Sequence, residues 1–210
     1  GDLRGRYNGR VRNAEPAGAG ERRGGVIETI LLAVWWARHK GYSLAGLKRA
    51  KLLYPAYLLE LGTIAFQVCV FCGVYTFIPY APILKTSYML ALALPLIGYR
   101  LWDAGLLSAG CVFLGSFLNN LVMGLNGGKM PVFPTLSYLT GYVNSRNLNL
   151  GGGIHVLGDG ATRLKVLADY IDIGYSVLSI GDVLVRVMGF LAVYATLRHF
   201  SQRAASKELG

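Results

Sequence analysis

An integral membrane bundle of α-helices is the fold class this sequence predicts, and three observations carry it. Of 210 residues, 53% are hydrophobic and only 15% are charged, whereas a soluble domain usually carries about 25% charged residues. Several apolar runs approach or exceed the ~18–20 residues that span a bilayer. The basic residues sit between those runs, where they set orientation in a membrane. The predicted architecture is all-α: four transmembrane helices after a short N-terminal hydrophobic helix, with an amphipathic loop helix on the outer face.

Residues 1–25 differ from the rest. They are polar and Gly-rich, without apolar periodicity, and read as a disordered basic tail. Arg22-Arg23 can be encoded AGG-AGG, a bacterial ribosome-binding sequence, and Val26 can be encoded GTG. We therefore expect translation to begin at Val26; a flexible basic tail is the alternative, and the codons decide between them. The membrane domain is 26–200, and 201–210 is a cytoplasmic tail.

The run VIETILLAVWWA, 26–37, would be only ~18 Å long as a helix. It is either a short tilted span or an interfacial helix, with Trp35, Trp36, Arg38 and Lys40 as its anchor. The run 52–78 has Pro55 in its first turn, where proline is tolerated, with Pro79 and Pro82 as stops. Further spans are expected at 83–99, with a kink at Pro95, at 104–125 and at 177–200.

Segment 38–51 carries Arg38, Lys40, Lys48, Arg49 and Lys51 and no acid. Placing it inside, with the 99–103 turn and the C-terminus, puts 79–86 and 126–176 outside and lets each span alternate. The expected location is a bacterial cytoplasmic membrane, multi-pass, with the C-terminus cytoplasmic. The net charge of +10 is thus explained by topology. No basic-aromatic reading surface supports a nucleic-acid partner. Cys69, Cys72 and Cys111 lie in apolar runs without neighbouring ligands, so no metal or cofactor is expected.

Polar groups inside spans face the bundle interior. Here they are Glu60, Asn119, Asn120, Asp182 and Arg186, beside Gln67. Measured by helical rise, Glu60 and Arg186 lie ~12 and ~17 Å from the inner ends of their helices, and Asn119 and Asp182 both ~22 Å. Two layers follow, Glu60 with Arg186 and Asn119/Asn120 with Asp182. They act either as a clamp holding the bundle or as an ion or solute path.

The outer loop, 126–176, is too apolar for disorder. In ATRLKVLADYIDI, residues Leu164, Leu167, Ala168 and Ile171 form one helical stripe, capped by Asp159 or Thr162, with Lys165 and Asp169 paired four apart. That predicts the amphipathic outer helix. Chemistry is sparse. His155 with Asp159, Asp169 and Asp172 could do acid–base work or hold a metal, but no spacing matches a known metal or nucleophile motif. Gly151–Gly153 and the Gly-Asp-Gly at 158–160 are weak phosphate cradles.

The Asn-Gly-Gly-Lys-Met-Pro-Val turn at 126–132, lone His155, TRLKVLAD at 162–169 and SIGD at 179–182 together resemble a bacterial family catalogued as domain of unknown function 5317. The resemblance runs from about Val26 to Phe200. It implies a small multi-pass membrane protein, and it marks Asn126, Gly127, Gly128, Met130, Pro131, His155, Thr162, Asp169, Gly181 and Asp182 as the characteristic positions. It brings no activity with it.

The functional expectation is a non-enzymatic membrane protein whose outer loop binds a membrane protein partner or lipid. Two alternatives stand: a small-solute or ion transporter using Asp182, Arg186 and Glu60, and a membrane-embedded enzyme using His155 with Asp159 or Asp169. In each case the turn at Asn126–Pro131 is expected to dock on the start of the last helix, with the loop helix and His155 closing over it.

Overall fold

The computed structural model describes residues 27–74, 76–77, 80–141 and 154–208. The expectations for the tail 1–25, for Val26, for Pro79 and for the glycines at 151–153 lie outside these. In chain order the elements are α1 (Ile27–His39), α2 (Ala45–Arg49), α3 (Tyr54–Phe71), α4 (Ala81–Gly98), α5 (Trp102–Leu125), β1 (Met130–Val132), α6 (Leu136–Leu139), β2 (His155–Leu157), β3 (Ile171–Asp172), β4 (Val177–Leu178) and α7 (Ile180–Glu208).

The chain is mostly helical, but it is not all-α. β1 pairs with β2 in parallel, Met130 opposite His155, and β3 pairs with β4 antiparallel, Ile171 opposite Leu178. Among the described residues, three helical stretches are long and apolar enough to cross a membrane: Lys51–Cys69, Trp102–Leu125 and Ile180–Lys207. The apolar stretch of α4, Thr86–Gly98, is shorter.

The last helix is the hub. Half of its apolar window is buried, against 17% for Lys51–Cys69 and 22% for Trp102–Leu125. One cluster joins Ala33 and Ala37 of α1, Ala50 and Leu53 to Val193 and Leu197 of α7. A second joins Ala56 of α3 and Tyr88, Ala91, Leu92 and Leu96 of α4 to Met188 and Ala192 of α7. Alanine recurs at these contacts because small residues let helices approach closely and gain van der Waals contact. The large side chains point outward: Leu58, Leu106 and Phe113 are all more than 70% exposed.

Four helices stop by the same device. Tyr42 N–H reaches Ala37 C=O, Val74 reaches Cys69, Leu101 reaches Leu96 and Gly128 reaches Met123. The residue before each of these donors has positive φ: Gly41, Gly73, Arg100 and Gly127. This is the Schellman closure, which satisfies carbonyls a helix end would otherwise leave bare. It corrects one boundary. The run 52–78 does not continue to its prolines; the helix ends at Phe71 because Gly73 turns it, and Pro82 instead lies in the first turn of α4. The run 177–200 is also redrawn, since Val177 and Leu178 form a strand before the helix begins at Ile180.

The amphipathic outer helix is absent. Its stretch holds one 3₁₀ turn, Lys165–Leu167, then a bridge at Asp169 and strand β3. Leu164 adopts φ 52°, which no α-helix accommodates. Tertiary pairing overrides the helical stripe here: the Asp169 N–H donates to Pro131 C=O at 3.0 Å, and Phe133 N–H donates to Asp169 C=O at 2.7 Å.

Candidate functional site at one end of the bundle

The Gly-rich turn is a hinge between helix and cap. Gly127 and Gly128 both take positive φ, so two successive residues here favour glycine. Beyond them β1 becomes a central strand, with β2 on one side and Asp169 bridged to Val132 on the other. Met130 is buried against Val122 of α5 and Ala168, with Phe133 and Leu167 around them. The Asn126 amide works as a backbone mimic. Its Nδ2 donates to the carbonyls of Val122 (2.8 Å) and Arg163 (3.0 Å), and its Oδ1 accepts Arg163 N–H at 2.9 Å. The turn is therefore clasped by the 154–169 segment.

The acids of this cap bind backbone. Asp172 accepts from Thr135 N–H (2.6 Å), Ser137 N–H (2.8 Å), Ser137 Oγ–H (2.6 Å) and Gly174 N–H (2.8 Å). Burial alone would raise its pKa; the hydrogen bonds from Ser137, Thr135 and Gly174 outweigh it and hold the carboxyl below its ordinary value. Asp159 closes its own turn, accepting Ala161 N–H at 2.9 Å and facing Thr162 Oγ1 at 3.3 Å; neither caps a helix. His155 Nε2 lies 3.5 Å from Asp169 Oδ2, with the carboxylate side chain 4% exposed. Of the two enzyme pairings, Asp169 is the one found with His155.

Below the cap, α5 meets α7 through a polar knot. Asn119 Nδ2 donates to Asp182 Oδ1 at 3.1 Å, and Ser179 Oγ donates to Asn119 Oδ1 at 2.8 Å. Asp182 caps its own helix: Ser179 N–H donates to its Oδ2 at 3.3 Å, and its N–H donates to Ser179 Oγ at 2.9 Å. The helices approach so closely that a Cβ on Gly181 would collide with Asn119 and with Gly115 C=O. Equal helical depth had paired Asn119 with Asp182, and these two meet. Asn120 does not join them; it is exposed. The contact with the start of α7 thus runs through α5, two turns before Asn126, while Asn126 itself engages Arg163.

One turn further along α7, Arg186 Nη1 donates to Glu28 Oε2 of α1 at 3.1 Å. The Tyr175 hydroxyl donates to the other oxygen of Glu28. Burial, then this carboxylate, pushes the Tyr175 hydroxyl up to about 12. Glu60 of α3 is 5% exposed, and Tyr88 of α4 faces it. Sequence reasoning missed Glu28, although an acid in an apolar 12-residue run was a signal in itself. Among the described residues no group of three or more His, Cys, Asp or Glu could hold a metal.

Long apolar helices around a polar interior, closed at one end by a small β-cap, make a mostly helical protein, and among the described residues three of its helices are long and apolar enough to cross a membrane. Residues 45–194 match the model of a family of unknown function, DUF5317, and the chain belongs to that family. No curated protein and no solved structure matches it.

Proposed function

We propose that this is a non-enzymatic, multi-pass protein of the bacterial cytoplasmic membrane whose cap, within 126–176, lies outside and binds a membrane protein partner or lipid. α3, α4, α5 and α7 are the four spans; α4, at 18 residues, is ~27 Å long. The basic segments gather at one end, which supports the orientation. Ser43 N–H bonds Ser201 Oγ, Leu52 N–H bonds Tyr99 Oη, and Tyr99 stacks on His199. Those contacts join the segments that carry Lys48, Arg49, Lys51, Arg100, Arg198 and Arg203, as the positive-inside pattern requires of a cytoplasmic face.

The carrying observation is the division of labour in the cap. Asn126, Asp159 and Asp172 turn inward onto backbone, while Leu139 is 84% and Val166 63% exposed. Large apolar side chains presented by a tightly hydrogen-bonded scaffold support a contact surface rather than a reaction centre. A photo-crosslinking residue placed at 139 or 166 in intact membranes tests this. Adducts to lipid or to a membrane protein are expected; full labelling by an impermeant aqueous reagent with no adduct would reject it.

A second reading, a solute or ion path, is favoured by the burial of Glu60, Asp182 and Arg186. Flux measured in proteoliposomes tests it.

A further inference from the structure

A cleft runs between α4 and α5. Its volume is about 770 Å³, within the range of small-molecule sites, and its walls are almost wholly apolar. Ala93 and Leu96 line it from α4, Gly105 and Ala109 from α5, and Met188 from α7. From Thr86 to Ile97 the α4 wall is ~17 Å long. Leu90, Ile97 and Leu106 also line it, and each is at least 60% exposed, so the cleft opens along its flank.

One wall residue breaks the pattern. Ser108 is 1% exposed, and its hydroxyl has no hydrogen-bond partner. Other helical hydroxyls of this chain bond back one turn: Thr63 to Leu59 C=O, Thr196 to Ala192 C=O and Ser206 to Gln202 C=O. A buried orphan calls for an explanation. Water is a poor one here, because a buried water takes roughly two to four polar partners. The other polar lining residues are Asp103, ~8 Å down α5, and Thr86, at the far end of the α4 wall. The Ser108 hydroxyl therefore calls for an acceptor carried in on an apolar body.

The end of the cleft nearest the α4–α5 turn is charged. Asp103 lines it, and Arg100 sits in the turn itself; both are exposed. Among the described residues no ion pair engages either. A guanidinium beside a carboxylate complements a zwitterion, phosphate to Arg100 and ammonium to Asp103. The spacing fits as well. The layer between water and hydrocarbon is roughly 5–8 Å thick on each side of a bilayer. A lipid whose ammonium meets Asp103 thus brings its ester carbonyl to the level of Ser108.

We propose that this cleft holds one zwitterionic phospholipid with a primary ammonium headgroup. One acyl chain lies between α4 and α5, the ester carbonyl accepts from Ser108, the ammonium meets Asp103 and the phosphate meets Arg100. The site rests on the reading of α4 and α5 as spans, and not on what the cap binds.

The test is native mass spectrometry of the full chain in detergent, titrated with phosphatidylethanolamine, phosphatidylcholine or phosphatidylglycerol of identical acyl chains. One phosphatidylethanolamine should stay bound in preference to the others, since a quaternary nitrogen donates no hydrogen bond and a glycerol headgroup carries no cation. Ser108→Ala should weaken it about fivefold, the equivalent of one lost hydrogen bond. Asp103→Asn should level the three lipids, and Ala109→Phe, at an exposed position of the wall, should exclude them all. Equal affinity for the three, or binding that survives Ala109→Phe, overturns the proposal. So does a dimer that Ala109→Phe dissociates, which gives the cleft to a second copy. Should Ala109→Phe fail to fold, an unchanged lipid preference in Asp103→Asn overturns it by itself. Release of the chain from membranes by alkaline carbonate would remove the span reading and this site with it; a chain that stays in the membrane but holds no lipid removes this site alone.

Discussion

The acids of the cap and the acids of the bundle interior do different work. In the cap, Asp172 gathers three N–H groups and a hydroxyl from its own loop, and Asp159 closes a turn. Their partners are neutral donors close at hand. In the bundle, Glu28 faces a guanidinium and a phenol from two other elements, and Glu60 is buried with Tyr88 of α4 facing it. The first arrangement fixes a backbone. The second concentrates charge that a fixed backbone does not require. Asp182 stands between them, capping α7 as a cap acid would while tying α7 to α5 as a bundle acid would.

The largest expected break comes from Arg186→Leu. It takes from Glu28 the guanidinium that holds its carboxylate; Arg186 is 10% and Glu28 36% exposed, so the loss falls at or below the lower end of the about 3–5 kcal/mol that breaking a fully buried pair costs. Unfolding in nanodiscs should show the loss. A fully stable variant would mean the bundle acids are as self-sufficient as those of the cap.

Gly181→Ala should come next, at about 1–3 kcal/mol, the usual cost of overpacking. Its new Cβ meets Asn119 and the Gly115 carbonyl, and the latter cannot rotate away. Asn119→Ala, which removes the link without forcing the helices apart, should cost about 1–2 kcal/mol, the upper range for a polar contact between membrane helices. If the alanine at 119 proves worse than the one at 181, the knot outweighs the close approach.

The smallest effect belongs to the cap. The Asp172 pKa is lowered on folding, so its contribution is fully present above the ordinary carboxylate range and is lost as pH falls through the folded value. The Asp172→Asn variant should cost about 1 kcal/mol or a little more near neutrality and lose part of the acid sensitivity. Amide exchange at Thr135, Ser137 and Gly174 reads it directly: faster exchange in the variant supports the role, and unchanged rates refute it.

These two kinds of site were unequally legible in the sequence. Helical rise alone set Asn119 and Asp182 at one depth, because a long apolar helix is a ruler with 1.5 Å divisions. Nothing comparable exists for the cap. β1 and β2 are three residues each and join Met130 to His155, a pairing between distant residues that no local period encodes. The stripe through Leu164, Leu167, Ala168 and Ile171 was present in the sequence, yet the backbone of Asp169 was claimed by β1 from across the turn. Glu28 escaped because its run was too short to be judged a span, so its charge drew no attention.

The Schellman closures have a consequence for biogenesis. Gly41, Gly73, Arg100 and Gly127 let α1, α3, α4 and α5 seal exposed carbonyls with donors from the next few residues, not from another helix. In hydrocarbon an unsatisfied backbone carbonyl costs several kcal/mol. Each of these helices can therefore form with its trailing end already closed before it meets a neighbour. Assembly can wait until α7, which follows them in the chain, arrives to gather them.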